Sequence, residues 1–206
     1  MKVIFSIILI FLLYSCECVN NYETPKENIP EQNSNLQIVN LSNNYKSLEA
    51  FSNDIYIEKL NYKEVKNNSA KYISGNSILN LRHNDKVVLA SGLKLEENKN
   101  YFSVIFDNNS SISSIYKESI SEDNLRIWNL NNNDVSIRIF NLNINENYSL
   151  SPREVSGVYN LPNGTYQIVY TFNNQDFDFD FIISSNKVYE LCFNKSEFSP
   201  IEIERR

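Results

Sequence analysis

The chain has 206 residues, with 19 Lys and Arg against 25 Asp and Glu, and a formal net charge of -6 at pH 7. This length fits one domain or two small ones, and an acidic balance argues against a nucleic-acid-binding protein. The hydrophobic fraction of 42% is enough for a packed core. The composition disfavours a helical bundle, because 34 Asn and only three Ala, with many Ile, Tyr and Phe, favour strands joined by polar turns.

The N-terminus carries an export signal. Lys2 precedes an apolar stretch over residues 3–14, which is shorter than the roughly 20 residues of a membrane-spanning helix and typical of a signal peptide. The stretch leads into Leu13-Tyr14-Ser15-Cys16, which resembles a bacterial lipoprotein cleavage site, and with Tyr14 it is similar to the looser lipoboxes of spirochaetes. The resemblance implies a signal peptide over residues 1–15 and an acylated, palmitate-bearing Cys16, and several acyl chains anchor a protein stably. An ordinary cleaved signal peptide and an uncleaved anchor are the alternatives.

Residues 16–35 are polar and contain Pro25 and Pro30, which predicts a flexible tether behind the lipidated cysteine. Cys18 lies in this tether, and Cys192 lies in an apolar strand near the end of the chain. Outside the cytoplasm two remaining thiols favour a disulfide between Cys18 and Cys192. Both cysteines staying reduced is the equally simple alternative.

Two copies of one pattern organise the rest of the chain. Residues 36–44 match residues 125–133 at an offset of 89, and residues 99–101 match residues 187–189 at an offset of 88. Short runs rich in β-branched and aromatic residues recur about every 8–12 positions, and no stretch has the helical period. The sequence therefore predicts an all-β protein of two tandem antiparallel β-sandwich repeats, Ig- or transthyretin-like. We expect the first over residues 36–107, a Ser-rich linker over 108–124 and the second over 125–206.

Three motifs of the second copy resemble one protein family. They are the opening strand over residues 125–130, the turn Pro162-Asn163-Gly164-Thr165-Tyr166 and the entry Asn186-Lys187-Val188-Tyr189 to the last strand. They resemble a bacterial extracellular family of paired repeats known as domain of unknown function 4397. The resemblance covers residues 36–194 and is closest in the second copy. It implies a fold and an extracytoplasmic location, and it implies no catalytic activity.

Residues with catalytic or metal-binding chemistry are sparse. His83, the single histidine, lies in a polar turn, which leaves no pattern for a Ser-His-Asp or Cys-His site. Asp176, Asp178 and Asp180 alternate with three phenylalanines, so the carboxylates share one face of a strand at a spacing of about 6.8 Å. That spacing permits a carboxylate pair for hydrolysis or a weak cation site. A solvated sheet face guarded against edge-to-edge aggregation is the simpler interpretation.

Together these features predict a non-enzymatic lipoprotein of the cell envelope or cell surface, anchored to the membrane by lipid and needing no cofactor. Its partner is expected to be a protein or an envelope polymer, and not a nucleic acid. A purely structural envelope protein is the alternative, followed by a carboxylate-dependent hydrolase or a cation-binding domain. Trp128 fits either the core or a stacking platform for a ligand. The outer surface and the periplasmic face are both compatible with the sequence.

Overall fold

A computed structural model describes residues 33–65, 70–120, 125–195 and 197–204, and each regular element within them is a β-strand. The first half contains β1 (Asn33–Asn40), β2 (Ser47–Ser52), β3 (Ile55–Asn61), β4 (Ala70–Ile73), β5 (Gly75–His83), β6 (Lys86–Leu95), β7 (Asn100–Asn108) and β8 (Ser111–Glu118). The second half contains β9 (Leu125–Asn129), β10 (Val135–Phe140), β11 (Asn145–Leu150), β12 (Val155–Tyr159), β13 (Gly164–Phe172), β14 (Gln175–Ile183), β15 (Lys187–Asn194) and β16 (Glu197–Glu204).

The strands form four sheets, and the two halves repeat one topology. In the first half, sheet A has the order β4-β1-β7-β8 and sheet B the order β3-β2-β5-β6. In the second half, sheet C has the order β12-β9-β15-β16 and sheet D the order β11-β10-β13-β14. Each strand of the first half thus corresponds to the strand eight positions later in the second. The predicted all-β fold of two tandem sandwich repeats is confirmed.

Each repeat contains one parallel pair of strands among its antiparallel pairs. β1 pairs with β7 in parallel, and β9 pairs with β15 in parallel. In both repeats the chain reaches the seventh strand only after building the other sheet, so the strand can return beside the first in the same direction. These parallel pairs form the middle of sheets A and C, where the strands are covered on both faces.

Three apolar layers place the four sheets in the order B, A, C, D. The layer between sheets A and B includes Leu36, Leu48, Leu79, Leu93 and Ile105, and the layer between sheets C and D includes Ile127, Ile137, Ile168, Tyr189 and Leu191. A third layer joins the repeats and contains Val39, Leu41, Phe102, Val104, Phe106, Trp128, Leu130, Cys192 and Ile201. Sheets A and C are therefore inner sheets, which explains why β7 is buried continuously from Tyr101 to Asp107.

Two predicted boundaries are wrong. Most of the expected linker over residues 108–124 is strand β8, which pairs with β7 from Asn108↔Ser111 to Tyr101↔Glu118. Ile112 and Tyr116 reach the core of the first repeat, while the serines between them made the segment look like a polar connection. The expected tether also ends earlier than residue 35, because β1 begins at Asn33 and pairs with β4 and β7.

Both repeats fix the entry to their seventh strand with the same hydrogen bond. The hydroxyl of Tyr101 accepts the backbone N–H of Glu96 at 2.9 Å, and the hydroxyl of Tyr189 accepts the backbone N–H of Ser184 at 2.8 Å. The two tyrosines are the residues that the offset of 88 aligns in the sequence. The repeat is therefore preserved at the level of single contacts.

Candidate functional site

A buried ion pair lies in the layer between the two repeats. Arg126 on β9 and Glu190 on β15 are register partners, and their side chains are 5% and 1% exposed. Nε and Nη2 of Arg126 donate to the two carboxylate oxygens of Glu190 at 2.9 and 2.6 Å. Nε1 of Trp128 donates to Oε2 of Glu190 at 2.5 Å. Both carboxylate oxygens of Glu190 therefore have charge-assisted partners, as a buried charge requires.

The same cluster holds the first repeat against the second. Nη1 of Arg126 donates to the backbone carbonyl of Glu118 at the end of β8 at 2.7 Å, and the ring of Phe102 packs edge-on against Trp128 with centroids 5.7 Å apart. Burial raises the pKa of Glu190, and the charge of Arg126 and the hydrogen bonds from Arg126 and Trp128 oppose this effect. Trp128 is fully buried, so of its two predicted roles the core role is confirmed.

Cys192 lies beside this cluster. Its thiol is free and its side chain is 1% exposed in the layer between sheets A and C. Burial raises the pKa of the Cys192 thiol, and the negative charge of Glu190 raises it further. Cys16 and Cys18 lie outside the described residues. The disulfide between Cys18 and Cys192 stays a prediction, and it would require the tether to reach a thiol enclosed by two sheets.

The other predicted candidates are three aspartates on β14 and the histidine at the end of β5. Asp176, Asp178 and Asp180 line the exposed face of β14, and Thr171 donates its hydroxyl hydrogen to Oδ1 of Asp176 at 2.6 Å. Within the described residues no three His, Cys, Asp or Glu side chains are grouped so that they could hold a metal ion. Nδ1 of His83 lies 3.0 Å from the carbonyl oxygen of Ser47, so the imidazole is a half-buried part of sheet B.

The outer faces of sheets B and D differ although their strands correspond. The strand registers show which positions of the two sheets are equivalent. At six of these positions sheet B has an uncharged residue where sheet D has a polar or charged one. In the order sheet B to sheet D these are Phe51 and Arg138, Tyr56 and Asn147, Ile78 and Gln167, Val87 and Asp176, Ala90 and Asp178, and Gly92 and Asp180. At five further positions the residue of sheet B is the more polar one. There Glu49, Lys59, Asn80, Arg82 and Lys94 of sheet B stand where sheet D has Ser136, Ser149, Val169, Thr171 and Ile182.

Several of these apolar side chains of sheet B are exposed. Tyr56 is 54%, Ile78 51% and Val87 54% exposed. Phe51 is partly covered, because the ring of Tyr56 packs edge-on against it at 5.5 Å and the guanidinium of Arg82 lies 4.1 Å from its centroid. Exposed apolar side chains that lie close together on a protein surface often mark an interaction site, whereas single scattered ones do not.

A groove borders this face along β6. One cleft of about 490 Å³ is lined by Ser77, Ile78, Gly92 and Lys94, and by Tyr116 from β8. A second cleft of about 390 Å³ is lined by Ser91, Ser114, Lys117, Arg153 and Val155, and again by Tyr116. Because Tyr116 borders both clefts, we treat them as one groove, the β6 groove. It runs from the outer face of sheet B to the loop before β12 in the second repeat.

The sequence did contain signals for these features. Arg126 and Glu190 are charged residues inside otherwise apolar strands, which is the pattern of a buried pair. The difference between β6 and β14 follows from aligning the two repeats strand by strand. No protein-family model matches the sequence, and a search of curated proteins found no match. In the part of the chain that is described, no helix has the length and apolar character to cross a membrane.

Proposed function

We propose that this protein is a non-catalytic binding module, exported and held at a bacterial membrane by lipid on Cys16, which presents the outer face of sheet B to a partner. The observation that carries the binding role is the contrast between the outer faces of sheets B and D. Ile78 is exposed on the outer face of sheet B where the second repeat has Gln167, and an apolar side chain left in solvent on one of two equivalent faces supports a contact there.

The anchoring part of the proposal is supported by the N-terminal sequence. Lys2, the apolar stretch over residues 3–14 and the Ser15-Cys16 junction together form the pattern of an export signal followed by a lipid-accepting cysteine. The similarity of the repeats to the extracellular family 4397 remains part of the proposal and agrees with export.

The binding role is tested by photo-crosslinking in intact cells. A photoreactive phenylalanine analogue placed at Ile78 is expected to give a discrete covalent adduct, and the same analogue at the equivalent position Gln167 is expected to give none. The Ile78 adduct should disappear when Val87, Ala90 and Gly92 are all replaced by Asp, as in β14. No adduct from Ile78, or equal adducts from both positions, would favour a purely structural envelope protein.

The anchor is tested separately with labelled palmitate. The wild type and a Cys18→Ala control should incorporate the label, and a Cys16→Ala variant should not. Equal labelling of the Cys16→Ala variant would refute lipidation at this residue. Protease treatment of intact cells then distinguishes the outer surface, where the protein is digested, from the periplasmic face, where it is protected.

A further inference from the structure

We propose that the free edge of β6 binds an extended, acidic segment of a partner protein as an additional strand of sheet B. The inference rests on the proposed binding function and names the partner's chemistry. β6 has a hydrogen-bonded neighbour, β5, on one side, and β6 is the last strand of sheet B on the other. Addition of an extended peptide to such an edge is a common mode of recognition, since the main chain supplies the hydrogen bonds.

The orientation of the β6 backbone supports this mode. The N–H of Lys94 points away from β5 and donates to the hydroxyl of Tyr116 at 3.0 Å. Hydrogen-bonding groups alternate along an antiparallel strand, so the polar groups of Gly92 and Ala90 lie on the same free edge as the N–H of Lys94. A peptide strand beside residues 90–92 would therefore lie against the Tyr116 side chain, within the β6 groove.

β6 lacks the three carboxylates of the corresponding strand and carries its own charges, Lys86 and Lys94, only near its two ends. β14 is also the last strand of its sheet, and it carries Asp176, Asp178 and Asp180 on its outer face. Charged side chains on an edge strand disfavour hydrogen-bonded pairing of that strand with a strand of another chain. The equivalent residues of β6 are Val87, Ala90 and Gly92, and the side of Gly92 on which a Cβ would lie has no atom within 4 Å. The middle of the β6 edge is thus uncharged, whereas the middle of the β14 edge carries three carboxylates.

Charge at the groove selects an acidic peptide. Lys94 and Lys117 are exposed on its rim, and Arg153 lies at its end. None of the ion pairs within the described residues involves these three cations. Arg153 donates instead to neutral oxygens, such as Oδ1 of Asn108 at 2.9 Å. Glu154 is the acidic residue of the lining, and it accepts the N–H of Ser151 at 2.6 Å.

The test uses the full chain in mild detergent and a fluorescein-labelled peptide of about ten residues, alternating glutamate and valine to favour a strand. We expect saturable binding by fluorescence anisotropy that weakens as salt is added. A peptide alternating lysine and valine should bind at least about tenfold more weakly, as should the glutamate peptide with the Lys94→Glu/Lys117→Glu variant.

The matched control is Lys63→Glu/Lys195→Glu, which makes the same change of charge at exposed residues outside both β6 and the groove lining. It should retain wild-type affinity, and both variants should keep the wild-type urea midpoint. Absence of saturable binding, equal affinity for the two peptides, or equal weakening by the control variant would overturn the inference. If the Ile78 crosslink persists while the peptide fails, the binding function stands and the acidic strand is wrong.

Discussion

Buried asparagines give part of the unusual composition a structural role. Asn129 is fully buried, and its Oδ1 accepts the N–H of Asn131 at 3.0 Å while its Nδ2 donates to the carbonyls of Leu150 and Ser151 at 3.2 and 2.8 Å. In the first repeat the equivalent Asn40 is also fully buried and accepts the N–H of Ser42 at 3.0 Å. Each side chain thus closes the turn that follows the opening strand of its repeat.

Asn129→Ala is expected to lower the free energy of unfolding by about 2–4 kcal/mol, because several buried backbone groups lose their partner at once. Urea denaturation followed by tryptophan fluorescence measures the change. Asn143→Ala removes an exposed asparagine side chain from the loop after β10 and should change stability by less than about 0.5 kcal/mol. Similar losses in both variants would contradict the role assigned to Asn129.

Because the hydroxyl of Tyr148 is partly buried, we expect the protein to lose stability at alkaline pH. Burial raises the pKa of Tyr148 from the ordinary value of 10 to about 12, and its ring packs against Tyr159 with centroids 4.4 Å apart. The folded state holds this proton more tightly than the unfolded state, so the stabilisation is present below pH 10 and is lost as the pH rises towards 12. Urea midpoints should fall over this range, and less steeply in Tyr148→Phe. The exposed Tyr56→Phe control should follow the wild type.

At the scale of the element, β14 has one face against the core of the second repeat and the other face in solvent. The expected alternation is present, since Phe177, Phe179 and Phe181 pack against the core of the second repeat and the aspartates between them are exposed. Their spacing also permits catalysis or weak cation binding. Their position on the outer face of an edge strand favours a guard against association.

Removing these charges should expose β14 to pairing. The Asp176→Asn/Asp178→Asn/Asp180→Asn variant is expected to associate as its concentration rises. The wild type should associate less at the same concentration, because the aspartates of β14 repel a second copy of this strand. Size-exclusion chromatography with light scattering measures the change. The control Asp85→Asn/Glu97→Gln/Asp134→Asn removes as much negative charge from exposed turn positions. Equal association of the two variants would mean that net charge, and not the guarded edge, prevents aggregation.

At the scale of the whole molecule, the polar cluster distinguishes the two inner sheets. Arg126, Trp128 and Glu190 belong to sheet C, while the facing strands of sheet A contribute apolar residues such as Val39 and Phe102. A bidentate pair that also binds the carbonyl of Glu118 fixes one relative placement of the repeats. A purely apolar layer would tolerate more alternative placements.

Replacing only Glu190 of this ion pair should lower the free energy of unfolding more than replacing both Arg126 and Glu190. Glu190→Leu leaves the guanidinium of Arg126 buried without its counter-charge and should cost about 3–5 kcal/mol in unfolding free energy. Arg126→Met/Glu190→Leu should recover a large part of that loss, which a double-mutant cycle in urea measures. The more exposed pair Lys99 and Glu118, with side chains 38% and 57% exposed, provides the comparison cycle, with an expected coupling below about 1 kcal/mol. Additive losses at Arg126 and Glu190 would contradict the pairing.

Local patterns predicted much of the second repeat and less of the first. The strands β9, β10, β13, β14 and β15 follow from runs of β-branched and aromatic residues between Asn- and Gly-containing turns. β8, β11, β12 and β16 do not follow from such runs, because they are edge strands in which polar residues interrupt the apolar ones. Edge strands owe their structure to a neighbour, which a local window of sequence does not contain.

The sequence alone determined the all-β class, the duplication and the alternation of β14, because turn preferences and the two-residue period of a strand are local properties. Tertiary structure decided that sheets A and C pack together, that Arg126 meets Glu190 and Trp128, and that the β6 groove passes Tyr116. Each of these depends on which faces and edges meet in space, and the residues that meet are as far as 64 positions apart in the sequence. Equivalent strands therefore acquired different surroundings, and the middle of β14 carries three carboxylates where the middle of β6 carries no charge.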